Sequence, residues 1–337
     1  MGPTGDYQVQ IHNNTGIRGR VIFILFFFQV VVLSEEFSPD TTGDGSGGLW
    51  YPYCCGNTPG HLLDKWGGET YKFLHSCWLE GGHNVTIGPV YSLSKEHNKE
   101  TPVWASTVFG FRYLEPRQLE YLNRLYSGDY VSGHTFTTFI VHTTSMLSYL
   151  YSRFGRAGGE LKRAKVTSLR DPVLEDCDVV VNCTGLGAKD LVPDSGVFPV
   201  RGQVIRVAAP WQYDTVLDKS SGHYIIPNAE TVVLGGTQQE HDFNTGTDPK
   251  DTEFILNGCC SRIPKMKAAK VVKHWTGLRP GRDQVRLELE IVDGRLVIHN
   301  YGHGGSGVTL FWGCAGNLLD LLQANLNQID NRLKSKL

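Results

Sequence analysis

An α/β fold, in two domains or in one domain with a large insertion, is what this sequence predicts, and three observations carry it. At 337 residues the chain is long enough to bury a sizeable core. Its 39 glycines and 11% aromatic residues suit a turn-rich α/β protein better than a helical bundle. Twice, a short apolar run of β type ends in a glycine-bracketed turn: residues 178–181 before Gly185 and Gly187, and Leu296, Val297 and Ile298 before Gly302, Gly304, Gly305 and Gly307. Open α/β sheets receive their ligands at such strand ends.

The second of these turns is the more informative. Its glycines leave few side chains between backbone and visitor, so main-chain N–H groups can approach a ligand closely. The helix-like segment that follows puts Leu318, Leu319, Leu322, Leu326, Ile329 and Leu333 on one face. Loop N–H groups and the helix dipole together favour negative charge, such as a phosphate or the anionic edge of a reduced flavin. A plain strand–helix turn has the same composition, so the loop alone leaves both readings open.

Totals exclude several classes. Net charge is −2, the sequence pI is about 6.6 and no basic block occurs, which argues against nucleic acid as the main partner. Cys54, Cys55, Cys77, Cys177, Cys183, Cys259, Cys260 and Cys314 include no C-x-x-C pair, so a zinc knuckle or thioredoxin-like motif has no support, and free thiols in a reducing compartment are expected. The apolar run of residues 21–33 is shorter than the roughly twenty residues of a membrane span and lacks a small-residue cleavage pattern, so one or two buried strands are expected and no stable membrane span. Ser335, Lys336 and Leu337 spell the S-K-L peroxisomal address read by an import receptor, giving a peroxisomal matrix expectation.

Taken in order, the β-branched residues 29–33 read as a buried strand closed by Ser34, Glu35 and Glu36. An acidic residue closing the second strand of a Rossmann unit bonds a ribose hydroxyl, which makes Glu35 the candidate. A helix is expected at about 62–79, a strand at 85–90, and part of a second sheet near Phe109, Gly110, Phe111 and Arg112. An amphipathic helix at 145–154 is ended by Gly158 and Gly159. Strands are expected at 161–166, 178–181, 203–207, 223–226 and 231–234.

From residue 30 to 337 the chain resembles the FAD-dependent D-amino-acid oxidases. The resemblance rests first on residues 297–315, VIHNYGHGGSGVTLFWGCA, where His299, Tyr301, Gly302, His303, Gly304, Gly307, Trp312, Gly313 and Ala315 fit the family's C-terminal signature. FSPDTTGDGSGGLWYPY after the second strand, CDVVVNCTGLG and FPVRGQV continue it, and GHYIIP and TGLRPGR supply two site positions. A pattern this long is far more specific than a lone G-x-G-x-x-G.

The resemblance implies an α/β fold with an FAD-binding Rossmann-type domain (residues 1–55, 136–195 and 279–333). Interleaved with it is a substrate domain on a mixed, mainly antiparallel sheet (56–135 and 196–278). It implies oxidation of a D-amino acid by FAD and oxygen, giving a 2-oxo acid, ammonia and hydrogen peroxide. Tyr224 and Arg279 would hold the substrate carboxylate; arginine suits this because its planar fork binds carboxylate bidentately. Glu35, Glu36, Thr41, Thr42, Gly43, Gly47, Gly48, Leu49, Val166, Thr184, Gly304, Gly305, Gly307, Val308 and Thr309 would line the cofactor, with Thr41 and Thr42 offering hydroxyls and N–H groups to phosphate and Gly47, Gly48 and Leu49 lying beneath the flavin ring. Arg201 reads either as a site residue or as a brace for its turn against a carboxylate. His299 and His303 read as structural.

Two departures keep alternatives open. The start, YQVQIHNNTGIRGRVIF, has Gly16 and Gly19 but neither the G-x-G-x-x-G spacing nor an apolar strand before it. It is either a divergent or mis-joined start, or the mark of a chain that grips its nucleotide poorly, and a flavin-free relative stays a rival. The aspartate-oxidising branch carries extra arginines for a second carboxylate, and those positions hold Leu217 and Gln238, with Lys219 nearby. The intervening sequence leans to that branch, so acidic D-amino acids are expected and neutral ones are the alternative.

Overall fold

The computed structural model describes residues 7–13 and 28 at the level of backbone, and residues 29–97, 100–293 and 295–325 in full. Strands β1 (Tyr7–Asn13) and β2 (Phe28–Ser34) pair antiparallel. Helix α1 (Gly60–Glu80) stops where Gly81 takes φ +73°, and β3 (Val85–Ser94) and β4 (Phe109–Tyr113) follow. Then come α2 (Pro116–Leu125), opened by a Glu115–Gln118 capping box, β5 (Ser132–Val141) and α3 (Thr143–Arg156). Next are β6 (Glu160–Arg163), the largely buried β7 (Val179–Cys183), a single turn α4 (Ala188–Leu191) and the long β8 (Phe198–Ala208). Short strands β9 (Thr215–Asp218), β10 (Tyr224–Pro227), β11 (Val232–Gly235) and β12 (Gln239–Glu240) precede α5 (Pro249–Arg262), which Asp248 caps by accepting from the N–H groups of Lys250 and Asp251. The chain continues through β13 (Lys270–Gly281), β14 (Arg286–Val292), β15 (Arg295–Tyr301) and α6 (Gly307–Ala324).

Two sheets result. The first has the order β14-β15-β7-β1-β2-β6. Because β1 is antiparallel to both β2 and β7, while β15 runs with β7 and β6 with β2, the strands β2, β6, β7 and β15 all point the same way. Their carboxyl ends therefore open on one edge. The sequence reading found no apolar strand ahead of Gly16, and β1, YQVQIHN, is a strand of mixed polarity. It fills the middle of the sheet in reverse, with Tyr7 beside Ser34 and Cys183 at the ligand edge and Asn13 beside Phe28 at the other. Gly16, Gly19, residues 21–27 of the apolar run, Leu326, Ile329 and Leu333 of the expected last helix, and the terminal tripeptide lie outside the described residues.

The second sheet has nine strands, ordered β12-β8-β11-β10-β9-β3-β5-β4 with β13 on the free side of β8. It is antiparallel except for the β3–β9 pair, as the mixed, mainly antiparallel expectation had it. It takes in all of β5 and β13, so it reaches beyond the boundaries at 135 and 278 drawn from sequence.

The helices α1 and α6 are pressed together at Gly313, where a Cβ would come within 2.2 Å of the Trp66 carbonyl. The Trp66 indole N–H donates to Asn317 at 2.9 Å and Phe73 stacks on Trp312 with 3.8 Å between centroids. Among the described residues no cluster of His, Cys, Asp and Glu is placed to hold a metal, and no helix is long and apolar enough to cross a membrane. The eight cysteines are free thiols.

Candidate active site

The site is built on the second sheet. Tyr224 opens β10, and its ring lies flat on Gly235 and Gly236, where an added Cβ would stand 2.1 and 2.5 Å from ring and hydroxyl. Arg279, near the end of β13, lays its guanidinium on Gly202 of β8, where a Cβ would meet it at 2.2 Å. Glycine at these three positions is what makes room for two large polar side chains on a packed sheet. Arg279 donates to the Thr237 carbonyl at 3.1 Å and lies over the Tyr53 ring at 5.7 Å. Arg262, Arg282 and Arg286 each pair with a carboxylate, but among the described residues Arg279 pairs with none. A half-buried guanidinium without a counter-ion is a costly arrangement unless an anionic ligand completes it. Burial raises the Tyr224 phenol, although Arg279 sits close enough to offset part of the rise. Tyr224 is thus a neutral hydroxyl, able to donate to an anion held by Arg279.

Arg201, by contrast, is fully engaged. Its side chain is 1% exposed and donates to the Asn244 and Gly246 carbonyls at 2.7 and 2.9 Å, to Gln203 at 3.1 Å, and to Asp251. It braces the turn and does not face the Tyr224–Arg279 pair with a free donor.

Aromatic rings wall the space next to that pair. Tyr51, Trp104 and Phe136 are mutually in contact, at 5.4, 6.2 and 5.0 Å between centroids. The Lys219 ammonium stands 5.5 Å from the centre of the Tyr51 ring. The Tyr53 hydroxyl donates to Gln238 at 2.9 Å. Leu217 is paired in register with Tyr224, so the two side chains project from the same face.

Tyr51 and Tyr53 are tied to the glycine-rich loop by two hydroxyls of the first turn of α6. The Tyr53 N–H donates to Ser306 Oγ at 2.7 Å, and that hydroxyl donates back to the Tyr53 carbonyl at 2.8 Å. Thr309 does the same for Tyr51, at 3.0 and 2.9 Å. With Ser306 so engaged, no side chain caps α6, and the positive end of its dipole is left to a ligand. Ser306→Ala removes both bonds to a buried backbone segment and is expected to destabilise the protein by about 1–3 kcal/mol, read as a lowered thermal midpoint.

The remaining predicted cofactor residues fall along the edge where β2, β6, β7 and β15 end. Glu35 and Glu36 follow β2, where they pair at the surface with Lys165 (2.9 Å) and Arg163 (3.0 Å). Val166 follows β6 and is buried, and Thr184 follows β7 with its hydroxyl donating to Asn182 at 2.7 Å. Gly302, Gly304, Gly305, Gly307 and Val308 follow β15. The Thr41 hydroxyl donates to Asp44 at 2.6 Å in a local cap, with Thr42 and Gly43 beside it. Gly47 and Gly48 have a packing reason of their own. A Cβ on Gly47 would touch Ile226 at 2.9 Å, and one on Gly48 would stand 1.9 Å from the Val141 carbonyl, the strand that Leu49 bridges through Ile140.

His299 is buried with Nδ1 3.2 Å from the Asn182 amide, a partner within the first sheet. His303 has a buried Nε2 without a partner among the described residues, and burial pushes its pKa down to about 4, so the ring is neutral. An uncapped helix end, open space beside Gly307, the orphaned His303 nitrogen and four parallel strand ends on one edge fit a flavin dinucleotide. The sequence reading had not singled out Tyr51, Tyr53, Ser306, Gly202, Gly235 or Gly236. The alternating aromatics of WYPY and the paired glycines of LGG were the available signals.

Comparison with known proteins agrees. The family model described as FAD dependent oxidoreductase matches residues 27–321. The chain is 38% identical over 304 residues to a D-amino-acid oxidase of Rubrobacter xylanophilus, covering 89% of this chain and 90% of that one. It is 35% identical over 296 residues to a D-aspartate oxidase of Homo sapiens, covering 85% and 84%. Among solved structures, glycine oxidase from Geobacillus kaustophilus has the same fold, with a TM-score of 0.70 at 18% identity over 88% of each chain. The chain belongs to the FAD-dependent oxidoreductase family that includes the D-amino-acid oxidases, and FAD is its cofactor.

Proposed function

We propose that this chain oxidatively deaminates acidic D-amino acids, D-aspartate and D-glutamate, to the 2-oxo acid, ammonia and hydrogen peroxide. The supporting observation is a second cation beside the first. Lys219, which pairs with no carboxylate among the described residues, stands over Tyr51 as Arg279 stands over Tyr53, and both charges act on the Cys54 thiol. Bound FAD supplies the two-electron acceptor, which oxygen regenerates with release of peroxide. The protein supplies position. Arg279 and the neutral Tyr224 hydroxyl grip the α-carboxylate, which fixes the Cα–H of one enantiomer, while the aromatic wall excludes water from the reacting carbon. Lys219 supplies a point charge for a distal carboxylate, in place of the bidentate arginines of the aspartate branch. The peroxide product suits the peroxisomal address at residues 335–337, and import by the receptor for that signal is part of the proposal.

Neutral D-amino acids are the second reading, favoured by Leu217 and Gln238 at the positions of those arginines. Steady-state kinetics on D-aspartate, D-glutamate and D-alanine separate the two. The acidic reading expects higher kcat/KM for the dicarboxylates, and about a tenfold rise in their KM in Lys219→Met, the size of one lost charge contact. Preference for D-alanine, unmoved by the substitution, would establish the neutral reading.

A further inference from the structure

The loop from Asp44 to Leu49 is fastened to the second sheet by its carbonyls. In register, Ile226 pairs with Val233, Val233 with Arg206, and Val204 with Trp275. Residues two apart on a strand share a face, so Arg206 and Trp275 project from the face that carries Tyr224. A Cβ on Gly47 would touch Ile226, and one on Gly45 would stand 1.8 Å from the Trp275 indole, so the loop lies directly on that face. Arg206 Nη2 donates to the Ser46 carbonyl at 2.8 Å and to the Asp44 carbonyl at 3.3 Å. Asn228 Nδ2 donates to the Gly47 carbonyl at 3.2 Å, and the Val141 N–H donates to the Gly48 carbonyl at 2.8 Å.

A trans peptide points its C=O and its N–H in opposite directions. The Gly47 and Leu49 N–H groups belong to the peptides whose carbonyls meet Arg206 and Val141, so both are turned away from the sheet. Neither has a hydrogen-bond partner among the described residues, whereas the intervening Gly48 N–H donates to Ser46 Oγ at 3.1 Å. These are the residues that the family resemblance puts beneath the flavin ring. Arg206 is half-buried and pairs with no carboxylate among the described residues. The Asp44 carboxylate, which acts on it from a distance, is already bonded to Ser38 and Thr41. Lys273, next in register on β13, adds charge of the same sign, with its ammonium 4.4 Å from the centre of the Trp275 ring.

We propose that Arg206 is a positioning residue of the flavin site: it holds the loop with the Gly47 N–H towards the cofactor and strengthens that donor through the Ser46–Gly47 peptide. Hydrogen bonds in a chain polarise one another, and one from a charged donor is about twice as strong as a neutral one. A guanidinium on the carbonyl side therefore leaves the N–H side of the same peptide more positive. That matters most when the flavin has taken two electrons and carries negative charge, so Arg206 favours the reduced cofactor over the oxidised one. Asn228 shares the holding without the charge. No substrate group enters, so the assignment is independent of whether acidic or neutral D-amino acids are oxidised.

The test is the flavin midpoint potential of the purified holoenzyme, measured by equilibrium reduction against a reference dye in wild type, Arg206→Gln, Arg206→Lys and Asn228→Ala. Glutamine keeps a donor but loses the charge, and is expected to shift the balance about tenfold towards oxidised flavin, a fall of about 30 mV for two electrons. Lysine brings one charged nitrogen to the same two carbonyls and should recover most of that fall. Asn228→Ala is expected to weaken FAD binding to the apoprotein and leave the potential unchanged. A wild-type potential in Arg206→Gln would overturn the proposal. Equal falls in all three variants would overturn it too, since loop packing alone would then set the potential. If Arg206→Gln sheds its flavin, titrating the apoprotein with oxidised and with reduced FAD gives the same shift as a ratio of dissociation constants, and an unchanged ratio would again overturn it.

Discussion

Arg279→Ala is expected to lower kcat/KM for every D-amino-acid substrate by about a hundredfold or more, mostly through KM. Removing the partner of a partly desolvated carboxylate costs on the order of 3 kcal/mol. The guanidinium lies against the Gly202 backbone and over Tyr53, so its two donors are aimed before any ligand arrives. Arg279→Lys keeps the charge but loses the fork, and should recover only part of the affinity. Arg201→Ala gives the contrasting result. That side chain is buried and bonded to Asp251, so its loss leaves an unpaired carboxylate and should lower stability by about 3–5 kcal/mol. Steady-state kinetics and thermal melts on the two variants distinguish a substrate-binding arginine from a structural one. A near-normal KM in Arg279→Ala would remove it from the carboxylate site.

The second large effect is expected from Gly304→Ala. Gly304 has φ +54°, and a Cβ there would stand 1.7 Å from the Cys54 carbonyl, a backbone atom that cannot swing aside. The loop must then separate from residues 53–54, which breaks the Ser306–Tyr53 clip and shifts the first turn of α6. Loss of FAD on desalting, read from the visible absorbance of the purified protein, and a lowered melting temperature are both expected. Gly307→Ala is the control for folding, since nothing lies within 4 Å of its added methyl. Flavin retention and melting temperature equal to wild type in Gly304→Ala would contradict this account of the loop.

Acid should weaken the fold through its buried histidines. Desolvation holds His134 and His303 down to about 4 and lowers His299 as well. In the unfolded chain these rings titrate near the ordinary histidine value of about 6.5, so between the two values the unfolded state binds more protons. Stability is therefore full above about pH 6.5 and falls as the pH drops towards 4. Thermal midpoints measured across that window should decline on the acid side, less steeply in His134→Phe.

Several elements were legible because their signal is local. The helix expected at 62–79 is α1, the strand at 178–181 is β7, and the strand–glycine–helix unit is β15, its loop and α6. Others carry no clean period. Helix α5 mixes PKDTEFILNGCCSR with little amphipathic order, and β13 contains Gly277, Pro280 and Gly281, which ordinarily argue against a strand. Its pairing along nearly the whole of β8 overrides that local preference.

The sequence by itself determined the family and the cofactor, and it singled out Arg279 and Tyr224 as the pair proposed to hold the substrate carboxylate, since each lies in a contiguous, specific motif. Only the tertiary structure decided how those parts meet. Ser306 and Thr309 hold Tyr53 and Tyr51 across separations of 253 and 258 residues, and Tyr224 and Arg279 are brought side by side by the glycines at 202, 235 and 236. The direction of β1 likewise follows from its pairing with β2 and β7. The physical reason is that strand pairing and burial act between residues close in space, and a sequence pattern records only the half of each contact that it contains.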